Sequence, residues 1–180
     1  MQFPVRYIDF LFHFHGDRDY FECHEVLEEH WKDNGMERDS IWVGLIQVAV
    51  TFYHYRRGNL KGAVKMVDKA LRHLINKQEE TYSLGIQSSV LIDDLTVIRS
   101  RMKAGLPYKS YDLPIFNPAL LNLCKTRCME EGYLWGKTPK YIPNTIINKH
   151  ITRNRSQVEE ERKQALAIKN ASRKQLMMIS

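Results

Sequence analysis

Apolar side chains recur with a period of about 3.6 residues in one segment of this chain after another. No segment alternates apolar and polar residues with the period of two that is typical of a half-buried strand. Glycine, asparagine and proline separate the helical segments at positions that suit helix ends. The pattern predicts an all-α protein, folded as a compact helical bundle of about five to seven helices.

The segment from Tyr20 to Trp31 carries polar residues on the face that should point inward. By the helical period, this inner face holds Tyr20, His24, Leu27, Glu28 and Trp31. The opposite face holds Glu22, Glu25, Glu29 and Asp33, which predicts a solvated acidic surface. Because His24 and Glu28 lie one turn apart, their side chains are neighbours. The imidazole and the carboxylate are placed to hydrogen-bond, or to give one ligand each to a metal ion.

The next helical segment, from Ser40 to about Arg57, is apolar on nearly every side, which predicts a central buried helix. Its exceptions fall on one stripe and are Gly44, Gln47, Thr51 and His54. Since only a short turn separates the two segments, we expect antiparallel neighbours with this stripe facing the first helix. The sequence therefore predicts an internal polar cluster of His24, Glu28, Gln47, Thr51 and His54. Trp31 would pack in the core or cover the cluster as a lid, and stacking on a ligand is the alternative.

The pattern His24-x-x-x-Glu28-x-x-Trp31 resembles the HxxxExx(W/Y) motif of a bacterial and archaeal family, the domain of unknown function DUF309. Residues 44–63 resemble the second and third helices of that family, and the resemblance extends over roughly residues 17–78. It implies a compact all-helical domain with a site at His24, Glu28 and Trp31. It also implies metal binding by the His/Glu pair, but no particular reaction.

Three interpretations of the His24–Glu28 pair are open. As a buried structural pair it would fix helix register, and Glu28→Ala would then cost about 2–4 kcal/mol. As a zinc or manganese site it needs a third ligand, for which His54 and Glu25 are candidates. As an acid–base centre, Glu28 would orient the imidazole. The chain has no nucleophile elbow and no glycine-rich phosphate loop, so the sequence does not decide whether it is an enzyme.

Five of the six prolines lie between residues 107 and 143, which predicts that Tyr108 to Pro118 is an extended segment draped over the bundle. A short helix over residues 117–131 would carry Cys124 and Cys128, whose spacing suits core packing or metal chelation. The sequence S-Q-V-E from Ser156 is a capping box, which predicts a C-terminal helical arm. We expect a bundle domain of residues 1–150 and a basic arm of residues 151–180.

The net charge of +6 is unevenly distributed. Residues 137–180 hold ten Lys/Arg and three Glu, or +7, whereas residues 17–39 hold nine acids and three bases, or −6. We call residues 17–39 the acidic lobe. The complementary charges favour a homodimer in which the arm of one copy lies against the acidic lobe of another. If the protein binds nucleic acid, we expect the contact only through the basic tail, residues 137–180.

Membrane and secretion signals are not found in the sequence. The longest mostly apolar run, Ile41 to Tyr53, is too short to span a bilayer, and the N-terminus lacks the pattern of a signal peptide. Three cysteines, an odd number, favour reduced thiols over a disulfide framework. We therefore expect a cytoplasmic protein with no membrane partner.

Two classes of function follow. In the first, this is a soluble helical protein with a polar site between helices that binds a divalent metal or a small molecule. The site residues would be His24, Glu28, Trp31, Gln47, Thr51 and His54. In the second, it is an interaction or scaffold protein that uses a helical hairpin surface and the basic tail, with the His24–Glu28 pair purely structural. An open polar pocket would favour the first class, and a sealed pair beside a large exposed apolar patch the second.

Overall fold

The computed structural model describes residues 3–152. Within that range the chain forms nine helices and no strand, with one isolated bridge between Ile86 and Ile115. The predicted all-α class is confirmed. The helices are α1 (Val5–His15), α2 (Tyr20–Asp33), α3 (Ile41–Arg56), α4 (Leu60–Asn76), α5 (Gln78–Ser83), α6 (Ser88–Lys103), α7 (Pro118–Glu130), α8 (Asn144–Ile147) and α9 (Lys149–Thr152).

Capping residues set the bounds of the two helices that carry the predicted site. The carboxylate of Asp19 accepts a hydrogen bond of 3.0 Å from a backbone N–H in the first turn of α2. Gly35 follows the end of α2 with a φ of 90°, the left-handed conformation that glycine adopts without strain. The hydroxyl of Ser40 caps α3 in the same way as Asp19 caps α2, at 3.3 Å. The chain therefore turns back between residues 34 and 40.

α2 and α3 are antiparallel neighbours, as predicted. Phe21 near the start of α2 contacts Tyr53 near the end of α3, with ring centroids 5.6 Å apart. At the other end of the pair, His30 of α2 contacts Trp42 of α3 at 4.6 Å. The candidate site lies between these two sets of contacts.

α3 is the central helix, and it packs against both α2 and α4. The sequence pattern placed Gly44 on the polar stripe that faces α2, and this is wrong. A Cβ atom at residue 44 would lie 3.2 Å from His73 and 3.3 Å from Leu74, both on α4. The missing side chain lets α3 and α4 approach closely, so Gly44 serves helix packing.

The chain between α6 and α7 crosses the bundle in an extended path, as predicted for Tyr108 to Pro118. Leu113 of this wrapping segment is buried at 4% exposure. The ring of Tyr111 stacks on Phe52 of α3, with centroids 5.5 Å apart and the ring planes 4° from parallel. The wrapping segment thus contributes apolar side chains to the core.

The chain divides into two units, residues 1–148 and residues 149–180. The described residues of the second unit form α9. The predicted helical arm from Ser156 lies outside the described residues. None of the helices between residues 3 and 152 combines the length and the apolar character that a membrane span requires.

Candidate functional site

His24 lies between two carboxylates of α2. Its Nε2 atom is 2.9 Å from Oε2 of Glu28, one turn away, and its Nδ1 atom is 3.1 Å from Oε1 of Glu25. The side chains of His24, Glu25 and Glu28 are 27%, 30% and 32% exposed. The cluster was expected to be internal, but these side chains are only half-buried and solvent reaches them.

Glu25 does not lie on a fully solvated outer face, as the helical period suggested. Neighbouring helix positions differ by about 100°, but a glutamate side chain is long enough to lean across that angle. The two nitrogens of the His24 ring point in different directions, so one reaches Glu28 and the other meets Glu25. The imidazole is therefore held from both sides.

Glu28 also contacts Lys32. The Nζ atom of Lys32 is 2.9 Å from Oε1 of Glu28, whereas Oε2 of Glu28 faces His24. Because the Lys32 side chain is 53% exposed, water screens this ion pair and its contribution to stability is small. Glu25, His24, Glu28 and Lys32 form a continuous line of charge pairs along α2.

A cavity of about 380 Å³ opens beside His24 and Glu28. Its volume falls in the lower part of the range for small-molecule sites, roughly 300–1,000 Å³. The lining residues come from α2, the connection 34–40 and α3, and they are His24, Glu28, Trp31, Arg38, Val43, Ile46 and Gln47. The structure thus brings four of the six predicted site residues around one open cavity.

Two of these four predicted residues, Trp31 and Gln47, have distinct environments. The indole Nε1–H of Trp31 donates to the backbone carbonyl of Glu37 at 2.7 Å, which fixes the ring and holds the connection against α2. The Oε1 atom of Gln47 is buried and has no hydrogen-bond partner among the described residues. An unpartnered buried acceptor costs free energy, and because Gln47 lines the cavity, a rotation of its side-chain amide would let this atom accept a hydrogen bond from a bound molecule.

Thr51 and His54 do not line the cavity. Thr51 lies one turn beyond Gln47, where its side chain is fully buried and its hydroxyl donates to the Gln47 carbonyl at 2.8 Å. His54 lies near the end of α3, with Nδ1 3.2 Å from the side-chain nitrogen of Asn59. The predicted stripe therefore runs past the site, and only its Gln47 position borders the cavity.

Three lining residues were missed from the sequence. Val43 and Ile46 share a side of α3 with Gln47 by their spacing, and that spacing could have identified them. Arg38 lies in the connection between the helices, where no periodicity indicates which way a side chain points.

A metal ion has three donors within reach at this site. The ligand atoms of His24, Glu25 and Glu28 all lie within 4.8 Å of one another. Bonds of about 2.0–2.2 Å to a shared ion place ligand atoms roughly 3–4.5 Å apart. The three donors therefore come close to the spacing that one shared ion requires, and His24 and Glu28 are the nearest pair.

The second candidate for chelation, the pair Cys124 and Cys128, is buried in α7. Burial raises the pKa of the Cys124 thiol to about 12 and that of the Cys128 thiol to about 11. A metal binds the thiolate, so these neutral thiols are poor ligands. They serve as small core residues, which is the commoner use of such a pair.

A family model and a protein of known sequence resemble this chain. Residues 7–66 match the family model described as Domain of unknown function (DUF309). Over 173 residues the chain is 38% identical to "Uncharacterized protein YpuF" of Bacillus subtilis (strain 168), an alignment that covers 95% of this chain and 99% of that protein. The chain belongs to the DUF309 family. The resemblance inferred from His24, Glu28 and Trp31 is thereby confirmed, and no solved structure matches the chain.

The DUF309 segment contains every residue that lines the cavity. It includes most of α1, all of α2 and α3, and the start of α4. The antiparallel pair α2 and α3 that builds the cavity is therefore a part of what this protein shares with its family. Its chemistry has to be inferred from the geometry around His24.

Proposed function

We propose that this DUF309 protein binds a divalent metal ion at the edge of the cavity, through His24 and Glu28. The observation that carries the proposal is the distance of 2.9 Å between Nε2 of His24 and Oε2 of Glu28, beside an open cavity. Imidazole and carboxylate are ligands for zinc and for manganese. An open pocket gives both an ion and a small molecule access to the pair, which a sealed structural pair would not.

Glu25 has a supporting role in this proposal. Its carboxylate contacts Nδ1 of His24, the ring nitrogen on the side away from Glu28. Histidines that bind metals commonly donate their second ring N–H to a carboxylate, which fixes the ring and raises its basicity. Glu25 would orient His24 in this way for ligation through Nε2.

The remaining coordination positions of the ion would be open to water or to a molecule in the cavity. Structural zinc sites are closed by four protein ligands, whereas catalytic sites keep a position open. Lys32 contacts the other oxygen of Glu28, which leaves Oε2 for the ion. The arrangement favours a functional site over a purely structural one.

Elemental analysis and metal-dependent melting test the proposal. Untagged protein should contain zinc or manganese, and excess metal should raise the Tm of the metal-free protein by mass action. Glu28→Gln should abolish the rise in Tm, and Glu25→Gln should weaken metal affinity by about 10–100-fold. Glu79→Gln, at an exposed position of α5, is the matched control and should behave as wild type. No bound metal and no change in Tm would leave the interaction or scaffold function, with a structural pair.

The proposal includes two further predictions, one about the partners of the protein and one about its location in the cell. The first is a homodimer formed through the C-terminal arm, with nucleic acid as the alternative partner of that arm. The second is a cytoplasmic location. All three cysteines of the chain are free, which supports a reducing compartment.

A further inference from the structure

We infer that the cavity beside His24 binds a small organic anion that carries a hydroxyl or amino hydrogen-bond donor and a short aliphatic group. The inference rests on the proposed function in one respect, that the cavity is a binding site, and it does not require the metal ion. Three features of the lining residues specify the ligand: a cationic side chain, a side chain with an unpartnered acceptor, and an apolar surface.

The cationic side chain is Arg38. It lines the cavity from the connection 34–40, and within residues 3–152 it forms no ion pair. Its planar guanidinium presents paired N–H donors that match the two oxygens of a carboxylate. The hydrogen bond from Trp31 to the carbonyl of Glu37 anchors the residue before Arg38, which keeps Arg38 at the cavity.

The unpartnered acceptor is Oε1 of Gln47. This atom is buried, and no donor among the described residues reaches it. Gln47 lines the cavity, so a rotation of its side-chain amide would turn Oε1 toward a ligand O–H or N–H and satisfy the acceptor. A ligand without a donor would leave the acceptor unsatisfied. Sites built around a buried hydrogen-bonding group discriminate strongly against analogues that lack the matching group. Gln47 therefore selects a ligand with a donor.

The apolar surface comes from Trp31, Val43 and Ile46. Because the indole N–H of Trp31 already donates to the backbone carbonyl of Glu37, the ring offers the ligand only apolar contact. A cavity of about 380 Å³ leaves room for a small molecule with a short aliphatic group.

The carboxylate of Glu28 also lines the cavity and would repel an anion if its charge were not balanced. Lys32 balances it, with Nζ 2.9 Å from Oε1 of Glu28, and a metal ion at His24 would add further positive charge. An anion held at Arg38 is therefore compatible with the line of charge pairs along α2. An organic cation would instead meet the guanidinium of Arg38.

NMR titration of metal-free, full-length protein tests the inference. The probes are hydroxybutanoates with the hydroxyl on successive carbons, butanoate without the hydroxyl, and the hydroxybutanamides without the charge. At least one hydroxybutanoate should show saturable chemical-shift changes and bind about tenfold more tightly than both butanoate and its own amide. Equal affinities for the three probe classes, or no saturable binding up to about 10 mM, would overturn the inference.

Two variants assign the preferences to side chains. Arg38→Gln should lose the preference for acid over amide, and Gln47→Met should lose the preference for hydroxy acid over butanoate. Each preference is a ratio measured within one variant, so a loss of stability does not obscure it. Arg72→Gln, at an exposed position of α4, should keep both ratios. Unchanged ratios in Arg38→Gln or Gln47→Met would reject the assignment.

The outcomes separate this inference from the metal site. Metal binding without hydroxybutanoate binding would leave the proposed metal site standing and overturn this inference alone. Hydroxybutanoate binding by a protein that takes up no metal would support this inference and reject the metal site.

Discussion

His15 accepts a hydrogen bond at Nε2 from the backbone N–H of Leu113, with 2.9 Å between the two nitrogens. The other ring nitrogen, Nδ1, lies 2.9 Å from the carbonyl oxygen of Leu11 and donates to it. The imidazole is fully buried and stacks on Trp135 with centroids 4.0 Å apart. A neutral ring in a single tautomer therefore ties α1 to the wrapping segment.

Acid should weaken this connection. Burial lowers the pKa of His15 from the ordinary 6.5 to about 4. Because the pKa is lower in the folded state, the unfolded chain binds more protons between these two values. The stabilisation is complete above about pH 6.5 and is lost as the pH falls toward 4, by about 3 kcal/mol in total. Urea unfolding at a series of pH values measures this loss.

His15→Gln is the matched variant for that experiment. Its amide oxygen is able to accept the Leu113 N–H, but the amide does not titrate. Carboxylates titrate in both proteins, so their effects cancel in the difference between them. The unfolding free energy of the variant should depend less on pH, by about 3 kcal/mol over this range. Identical pH profiles would show that His15 does not carry the effect.

Arg18 should stabilise the junction between α1 and α2. Its side chain is 1% exposed, its Nη1 donates to the carbonyls of Phe14 and Tyr111 at 2.9 Å, and its Nη2 donates to Asp112 at 2.7 Å. Arg18→Met keeps the bulk but leaves buried carbonyls unpaired, so the unfolding free energy should fall by about 2–4 kcal/mol. Arg72→Met, at an exposed position, should change it by about 0.5 kcal/mol or less. Equal losses in urea unfolding would contradict the prediction.

Glu28→Ala should cost less stability than a buried pair implies. Because Glu28 is 32% exposed and its partner His24 remains reachable by water, the loss in metal-free protein should be about 1 kcal/mol or less. Glu25→Ala should cost a similarly small amount, since its exposure and distance to His24 are comparable. Thermal and urea unfolding of both variants measure this. A loss above about 2 kcal/mol for Glu28→Ala alone would restore the interpretation as a buried structural pair.

Most helices could be predicted because their ends are encoded locally. Asp19, Ser40, Asn59 and Asn117 each cap the start of a helix with a side-chain oxygen, and Asp, Ser and Asn are residue types that favour this position. α5 could not be predicted, because it is six residues long, follows α4 directly and has no capping side chain. The route of the wrapping segment depends on contacts such as His15 to Leu113, which are 98 residues apart and leave no local pattern.

The candidate site could be predicted only where helical periodicity decides the facing of a side chain. Periodicity placed His24, Glu28 and Trp31 on one face of α2 and Gln47 on the side of α3 that borders the same cavity. It could not place Arg38, whose position depends on how the connection packs. Thr51 and His54 follow the same periodicity as Gln47, but the cavity does not extend that far along α3.

The last prediction concerns residues 156–180, which lie outside the described residues. Residues 137–180 carry +7, of which residues 156–180 contribute five Lys/Arg and three Glu, or +2. Residues 17–39, which include α2, carry −6. The apolar residues of the arm are sparse, and a helix of this kind has little support on its own. A homodimer in which the arm lies against the acidic lobe of a second copy would provide that support. Because salt screens such attraction, the dimer should weaken between about 0.05 and 0.5 M salt.

Light scattering of the full-length and shortened proteins measures this association. Removal of residues 156–180 should yield a folded monomer. Replacing Arg162, Lys163, Arg173 and Lys174 with glutamine should have the same effect, because the length is kept and the charge is lost. The nucleic-acid alternative makes the opposite prediction, in which full-length protein is monomeric and binds oligonucleotides with a steep salt dependence. A full-length monomer at high micromolar concentration would reject the dimer, since complementary charges would then be too weak to hold two copies together.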